Sequence, residues 1–212
     1  VEPLGRLQLI TDTRPGRDAL AVVAAALSAG APMVQVRVAD PTTDREAYGF
    51  AVQVRELCDR HGATCLVNDR LDVALAAGAA GAHVGADDLP VAAARRLLGP
   101  AAVLGATCRD PESARAAVAA GADYLGVGPA FGTTSKDGLP EPIGPGGVAA
   151  VAAAVPGTPV IAIGGVTAER VAPLRAAGAY GVAVIGAVSG AADPAAATRE
   201  LLRALAGGAG HD

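Results

Sequence analysis

A chain of 212 residues with 51% apolar side chains, 2% aromatic and no Trp must build its core from Ala, Val, Leu and Ile, which suits a parallel sheet buried on both faces. A net charge of −4 without any basic cluster excludes a nucleic-acid surface, so any anion must be bound locally. Three cysteines without metal-ligand spacing exclude a disulfide framework or structural zinc site, and no apolar run nears the ~20 residues that span a bilayer.

The expected elements alternate from the start. Strands are predicted over Leu7 to Thr11, Met33 to Arg37, Thr64 to Val67, Gly81 to Val84, Val103 to Ala106, Tyr124 to Val127, Val160 to Ile163 and Gly181 to Val184. Between them, apolar spacing and start signals predict helices over Asp18 to Ala29, Asp44 to His61, Arg70 to Ala77, Pro90 to Leu98, Pro111 to Ala120, Gly146 to Ala154, Ala168 to Ala177 and Pro194 to Leu205. Ala-Gly-Ala recurs at 29–31, 77–79, 120–122 and 177–179, each time after a helix and before a strand, where glycine fits a left-handed helix end. Eight strands alternating with helices predict a single (β/α)8 barrel domain over residues 1–212. An open doubly wound sheet would want a Gly-rich turn after its first strand, and Thr11-Asp12-Thr13-Arg14 is not one. Gly128 to Pro145 is too long for an ordinary connection and is expected to be a mobile flap after strand six. Val1 to Thr11 shows no signal-peptide pattern, so a soluble cytoplasmic protein is expected, with nothing opposed to a homo-oligomer.

In such a barrel, polar residues at the carboxyl ends of strands face the active site. Gln35 and Arg37 share one side of the second strand by period-two alternation, Asn68 and Asp69 follow the third, Asp88 the fourth, and Thr107 ends the fifth. Thr133, Thr134, Ser135 and Lys136, the last the one lysine in the chain, follow strand six; Gly164-Gly165 follows strand seven, and Ile185-Gly186 follows strand eight. Paired glycine turns after the last two strands form the common barrel phosphate site, because bare backbone N–H groups can approach an anion. Asp69 and Asp88 can place hard oxygen ligands on one Mg2+, and Arg37 with Lys136 supplies charge for a second, larger anion. Each has a plainer reading: Asp69 as the cap of the helix at Arg70, Asp88 in the turn before Pro90, Arg37 in a strand-end salt bridge, His83 as a packed barrel residue.

Leu9-Ile10-Thr11-Asp12, Val34-Gln35-Val36-Arg37, Val67-Asn68-Asp69-Arg70, His83 to Pro90, Gly126-Val127-Gly128-Pro129 and Ala162-Ile163-Gly164-Gly165 occur in the order and spacing of the thiamine phosphate synthase family, which the chain resembles from about Leu7 to Leu205. The resemblance implies a transferase that joins hydroxymethylpyrimidine diphosphate to thiazole phosphate, releasing pyrophosphate first to leave a pyrimidine cation that the thiazole nitrogen attacks. It implies pyrimidine contacts at Gln35, Asn68 and Thr107, Mg2+ ligands at Asp69 and Asp88, and a pyrophosphate clamp at Arg37 and Lys136. Thr133, Thr134, Ser135, Gly165, Ile185 and Gly186 then resemble the thiazole phosphate site.

Three departures stand out: Ala39 replaces a usual basic residue, Thr107-Cys108-Arg109 replaces a segment with Ser and His, and Gly186 replaces a Ser. They leave open a tautomerase-like isomerase on the same barrel, or a phosphate-binding barrel without catalysis. Arg109 is the candidate to replace the charge missing at Ala39.

Overall fold

A computed structural model describes residues 4–39, 41–133 and 140–207. Eight parallel strands close into a barrel in the order β1-β2-β3-β4-β5-β6-β7-β8. They are β1 Leu7–Ile10, β2 Met33–Val36, β3 Thr64–Asn68, β4 Gly81–Val84, β5 Val103–Cys108, β6 Tyr124–Val127, β7 Val160–Ile163 and β8 Gly181–Val184. The connecting helices are α1 Ala19–Ser28, α2 Asp44–His61, α3 Leu71–Ala77, α4 Val91–Leu98, α5 Pro111–Ala119, α6 Gly144–Ala154, α7 Ala168–Ala176, α8 Gly186–Ser189 and α9 Pro194–Gly207.

Local chemistry explains the boundaries. In α2, Thr43 Oγ1 accepts from Glu46 N while Glu46 Oε2 accepts from Thr43 N at 3.0 Å, a reciprocal cap that fixes the start at Asp44. Asp110 takes the Glu112 and Ser113 N–H groups ahead of Pro111, starting α5. The four repeated glycines, Gly30, Gly78, Gly121 and Gly178, all have φ between 67° and 103°, so the Ala-Gly-Ala units are left-handed exits from the odd-numbered helices.

Two points differ from the sequence expectation. Residues Thr107 and Cys108 continue β5 because they pair with Gly126 and Val127 of β6, a partner that no local pattern reveals. The four-residue α8 was not expected, and it immediately follows β8 at the mouth of the barrel.

Burial sorts into two layers. Aliphatic residues on the outer face of the sheet pack against the helices, among them Leu7, Leu9, Val34, Val67, Leu104, Leu125 and Val182. A smaller cluster of Ile10, Met33, Leu66, Tyr124, Ile161 and Ala183 fills the barrel interior. Among the described residues no helix is long and apolar enough to cross a membrane.

Candidate active site

The carboxyl ends of the strands surround a cavity of about 820 Å³. On one side its wall carries Gln35 of β2 with Arg37 just after it, Asn68 of β3 with Asp69 just after it, Asp88 from the turn after β4, and Thr107 of β5 with Arg109 just after that strand. Opposite them lie Thr133, Gly164, Gly165, Ile185 and Gly186. Thr134, Ser135 and Lys136 lie outside the described residues, as does the stretch 134–139 of the expected flap. The flap's described ends are tied down: Ala130 N donates to Ile163 O at 2.7 Å, Phe131 N to Gly164 O at 3.0 Å, and Ile143 N to Pro129 O at 2.9 Å.

Backbone bonding sets each side chain. Thr11 Oγ1 accepts from Arg37 N at 2.8 Å and donates to Arg37 O at 2.6 Å, clamping the residue that presents the guanidinium. Asp69 is the sole described non-glycine residue with positive φ, 64°, and its N–H reaches His83 O at 2.9 Å. The cap position of α3 falls to Arg70, which makes no side-chain cap bond. Asp88 Oδ2 accepts from Gly85 N at 2.7 Å, which staples the turn after β4 while the carboxylate stays on the cavity wall.

On the opposite side, Gly164 and Gly165 have φ of 97° and 60°, two consecutive left-handed residues that only glycine adopts without strain. The first turn of α8 follows beside them, with Gly186 and Ala187 on the wall, and a helix's first N–H groups lack intrahelical partners. Sequence reasoning missed Arg170, whose Nη1 donates to Gly165 O at 2.6 Å while its guanidinium stacks 4.6 Å from the Phe131 ring. Its position in the first turn of α7 carries no local signal for that role.

His83 is packed, as expected, but it is also bonded at both nitrogens: Nδ1 lies 3.0 Å from Tyr124 Oη and Nε2 2.9 Å from Thr107 Oγ1. Burial depresses its pKa to about 4, so the ring is neutral near pH 7.

A family model described as thiamine monophosphate synthase matches residues 7–188. The chain is 69% identical to the thiamine-phosphate synthase of Salinispora arenicola over 204 residues, covering 95% of this chain and 98% of that one. The chain belongs to the thiamine monophosphate synthase family. The Salinispora tropica thiamine-phosphate synthase is 68% identical with the same coverage, and the structure of thiamine phosphate pyrophosphorylase from Pyrococcus furiosus superposes with a TM-score of 0.87 at 35% identity, over 97% of each chain.

Arg109 lines the same cavity as Arg37. β5 lies three places round the barrel from β2, and Arg109 Nη2 is spent on Glu141 O at 2.6 Å, bracing the segment that leads into α6. Ala39 instead uses its N–H on Thr13 Oγ1 at 2.7 Å.

Another charged cluster missed from sequence lies just past β1, at the same end of the barrel as the cavity. Asp12, buried at the end of β1, takes Arg14 Nε and Nη2 at 2.7 Å each and Ser189 Oγ at 3.2 Å, while Arg17 Nη1 donates to Ser189 O at 3.1 Å. The bidentate guanidinium holds the Asp12 carboxyl down to about 2 from 3.8. A depressed carboxylate pKa stabilises the fold above the unfolded value, and that contribution is lost as pH falls from about 4 through about 2. Asp12→Asn is expected to cost on the order of 1 to 2 kcal/mol at pH 7. In urea melts the gap between wild type and variant should narrow as pH falls from about 4 towards 2; a gap independent of pH would remove the ion-pair explanation.

Proposed function

We propose that this thiamine-phosphate synthase barrel couples hydroxymethylpyrimidine diphosphate to thiazole phosphate, giving thiamine phosphate and pyrophosphate by dissociative, Mg2+-assisted substitution. The observation that carries this reading is identity of 69% to a thiamine-phosphate synthase across nearly the full length of both chains. The cavity adds chemical sense: one wall offers Arg37 with two carboxylates, the other a glycine turn, so two anions can be held facing each other.

The donor set fits Mg2+. Asp69 and Asp88 present hard oxygens on one wall, and among the described residues no group of three His, Cys, Asp or Glu gathers as a closed metal cage would require. Mg2+ characteristically takes one or two carboxylates and fills its shell with phosphate oxygens and water. When bound, it supplies charge neutralisation on the departing pyrophosphate.

The chain's own residues do the rest. Arg37 and Lys136 hold the diphosphate; Gln35, Asn68 and Thr107 orient the pyrimidine. Thr133, Thr134, Ser135, Gly165, Ile185 and Gly186 seat the thiazole phosphate so that its ring nitrogen faces the carbon losing pyrophosphate. No general base is needed, and the histidine on the wall has both nitrogens committed elsewhere. The tautomerase-like alternative places its histidine in the segment after strand five, where this chain has Thr107-Cys108-Arg109.

Purified protein with both substrates and Mg2+ should form thiamine phosphate and pyrophosphate in equal amounts. Pyrophosphate release without coupling, or no reaction, would overturn the reading.

A further inference from the structure

The bonds of His83 continue deeper into the barrel. Gln8 Nε2 on β1 donates to Tyr124 Oη on β6 at 3.1 Å, and the Gln35 amide also hydrogen-bonds the phenol. Gln8, Gln35, Tyr124 and His83 are all buried, whereas Thr107, at the chain's end, is exposed on the cavity wall. Glycine makes the room: a Cβ at Gly105 would fall 2.2 Å from Tyr124 Cζ and 2.4 Å from His83 Nδ1, and one at Gly126 would fall 2.8 Å from His83 Cε1. Two small residues on adjacent strands therefore admit two rings to the interior.

The protons in this chain have one consistent order. A neutral imidazole carries one donor and one acceptor, and a phenol one donor. Since Tyr124 Oη receives amide hydrogens, its own hydrogen goes to His83 Nδ1. Nδ1 is then the acceptor, and Nε2 carries the ring hydrogen and donates it to Thr107 Oγ1. With that lone pair taken, the Thr107 hydroxyl hydrogen turns outward.

We propose that this buried relay fixes Thr107 as a hydrogen-bond donor toward an acceptor atom of the pyrimidine diphosphate, with Tyr124 and His83 as positioning residues. The proposal rests on the proposed function for the identity of the ligand, but the proton order itself does not.

Nitrogen-15 NMR of the imidazoles in the unmodified protein tests the order without any assay. His83 should show the Nε2–H tautomer, with Nδ1 as the acceptor. An Nδ1–H form overturns the relay. Tyr124→Phe should mix the two tautomers and lower kcat/KM for the pyrimidine diphosphate about tenfold, with KM for thiazole phosphate unchanged. Thr107→Val should lower it by a similar factor, and the double variant should be no worse than Thr107→Val alone, because both act through one hydroxyl. Simple multiplication of the two losses would show that Tyr124 acts only by packing. A wild type that forms no thiamine phosphate yet shows the Nε2–H form would sink the proposed function and leave the proton order standing.

Discussion

Asp69→Asn and Asp88→Asn should each lower turnover on the order of a hundredfold or more, with a raised Mg2+ requirement, because each removes a negative oxygen from the proposed metal pair. Asparagine is the informative substitution at both places. At position 69 the backbone sits at φ 64°, where Asn is tolerated but Ala adds strain that would confuse loss of charge with loss of shape. At position 88 an amide oxygen can still accept from Gly85 N, keeping the turn after β4 while removing the charge. Pyrophosphate release measured against Mg2+ concentration decides the matter. Full wild-type activity in EDTA, or variants with an unchanged Mg2+ dependence, would end the metal assignment.

Gly164→Ala is expected to damage both fold and site. The new Cβ would lie 2.7 Å from Pro129 Cα and 3.1 Å from Ala130 N, backbone atoms that cannot swing away as a flexible side chain could. The same stretch is bonded to the turn, through Phe131 N on Gly164 O and Ala130 N on Ile163 O, so relief of the clash must pull the β6 and β7 loops apart. Strain at φ 97° adds to it. Together these should cost about 2 to 4 kcal/mol of stability and raise KM for thiazole phosphate at least tenfold. Gly62→Ala is the control, since Gly62 has φ 64° but nothing within 4 Å of its added Cβ, and should cost only about 1 kcal/mol. Equal melting temperatures for the two variants, with KM unaltered at position 164, would show that the interlock is unimportant.

The barrel was legible because each strand is a short aliphatic run delimited by local signals, such as Thr43 with Glu46 or the four Ala-Gly-Ala exits. Residues at strand ends followed from period two and the barrel's polarity, which is why Gln35, Arg37, Asn68, Asp69, Asp88 and Thr107 could be named from order alone. What escaped was set by closure of the ring. Gln8 and Tyr124 look like ordinary strand residues 116 positions apart, and only the curvature of the sheet turns them toward one point. Asp12 and Ser189 meet across 177 positions for the same reason. α8 escaped differently: four residues, Gly186–Ser189, offer neither periodicity nor a cap, and the helix exists because the Val188 and Ser189 N–H groups find the Ile185 carbonyl. Angular position round a barrel is not a local property of sequence, which is why the bond from Arg109 to Glu141 could not be read from order alone.

The seam between β1 and β8 has a consequence for how the enzyme comes into being. Leu7, Gln8 and Leu9 pair with Val182, Ala183 and Val184, and Asp12 grips Ser189 just beyond, so the first strand waits for residues 182–189 to be synthesised. A nascent chain that has emerged only as far as the turn after β7 still lacks Ile185 and Gly186, which line the cavity opposite Arg37. Closing such a distant loop is slow, and the open sheet meanwhile exposes two unpaired edges. A ligand that binds the turn made by Ile185 and Gly186 selects chains in which the seam has shut, and by mass action it stabilises the whole ring rather than one loop.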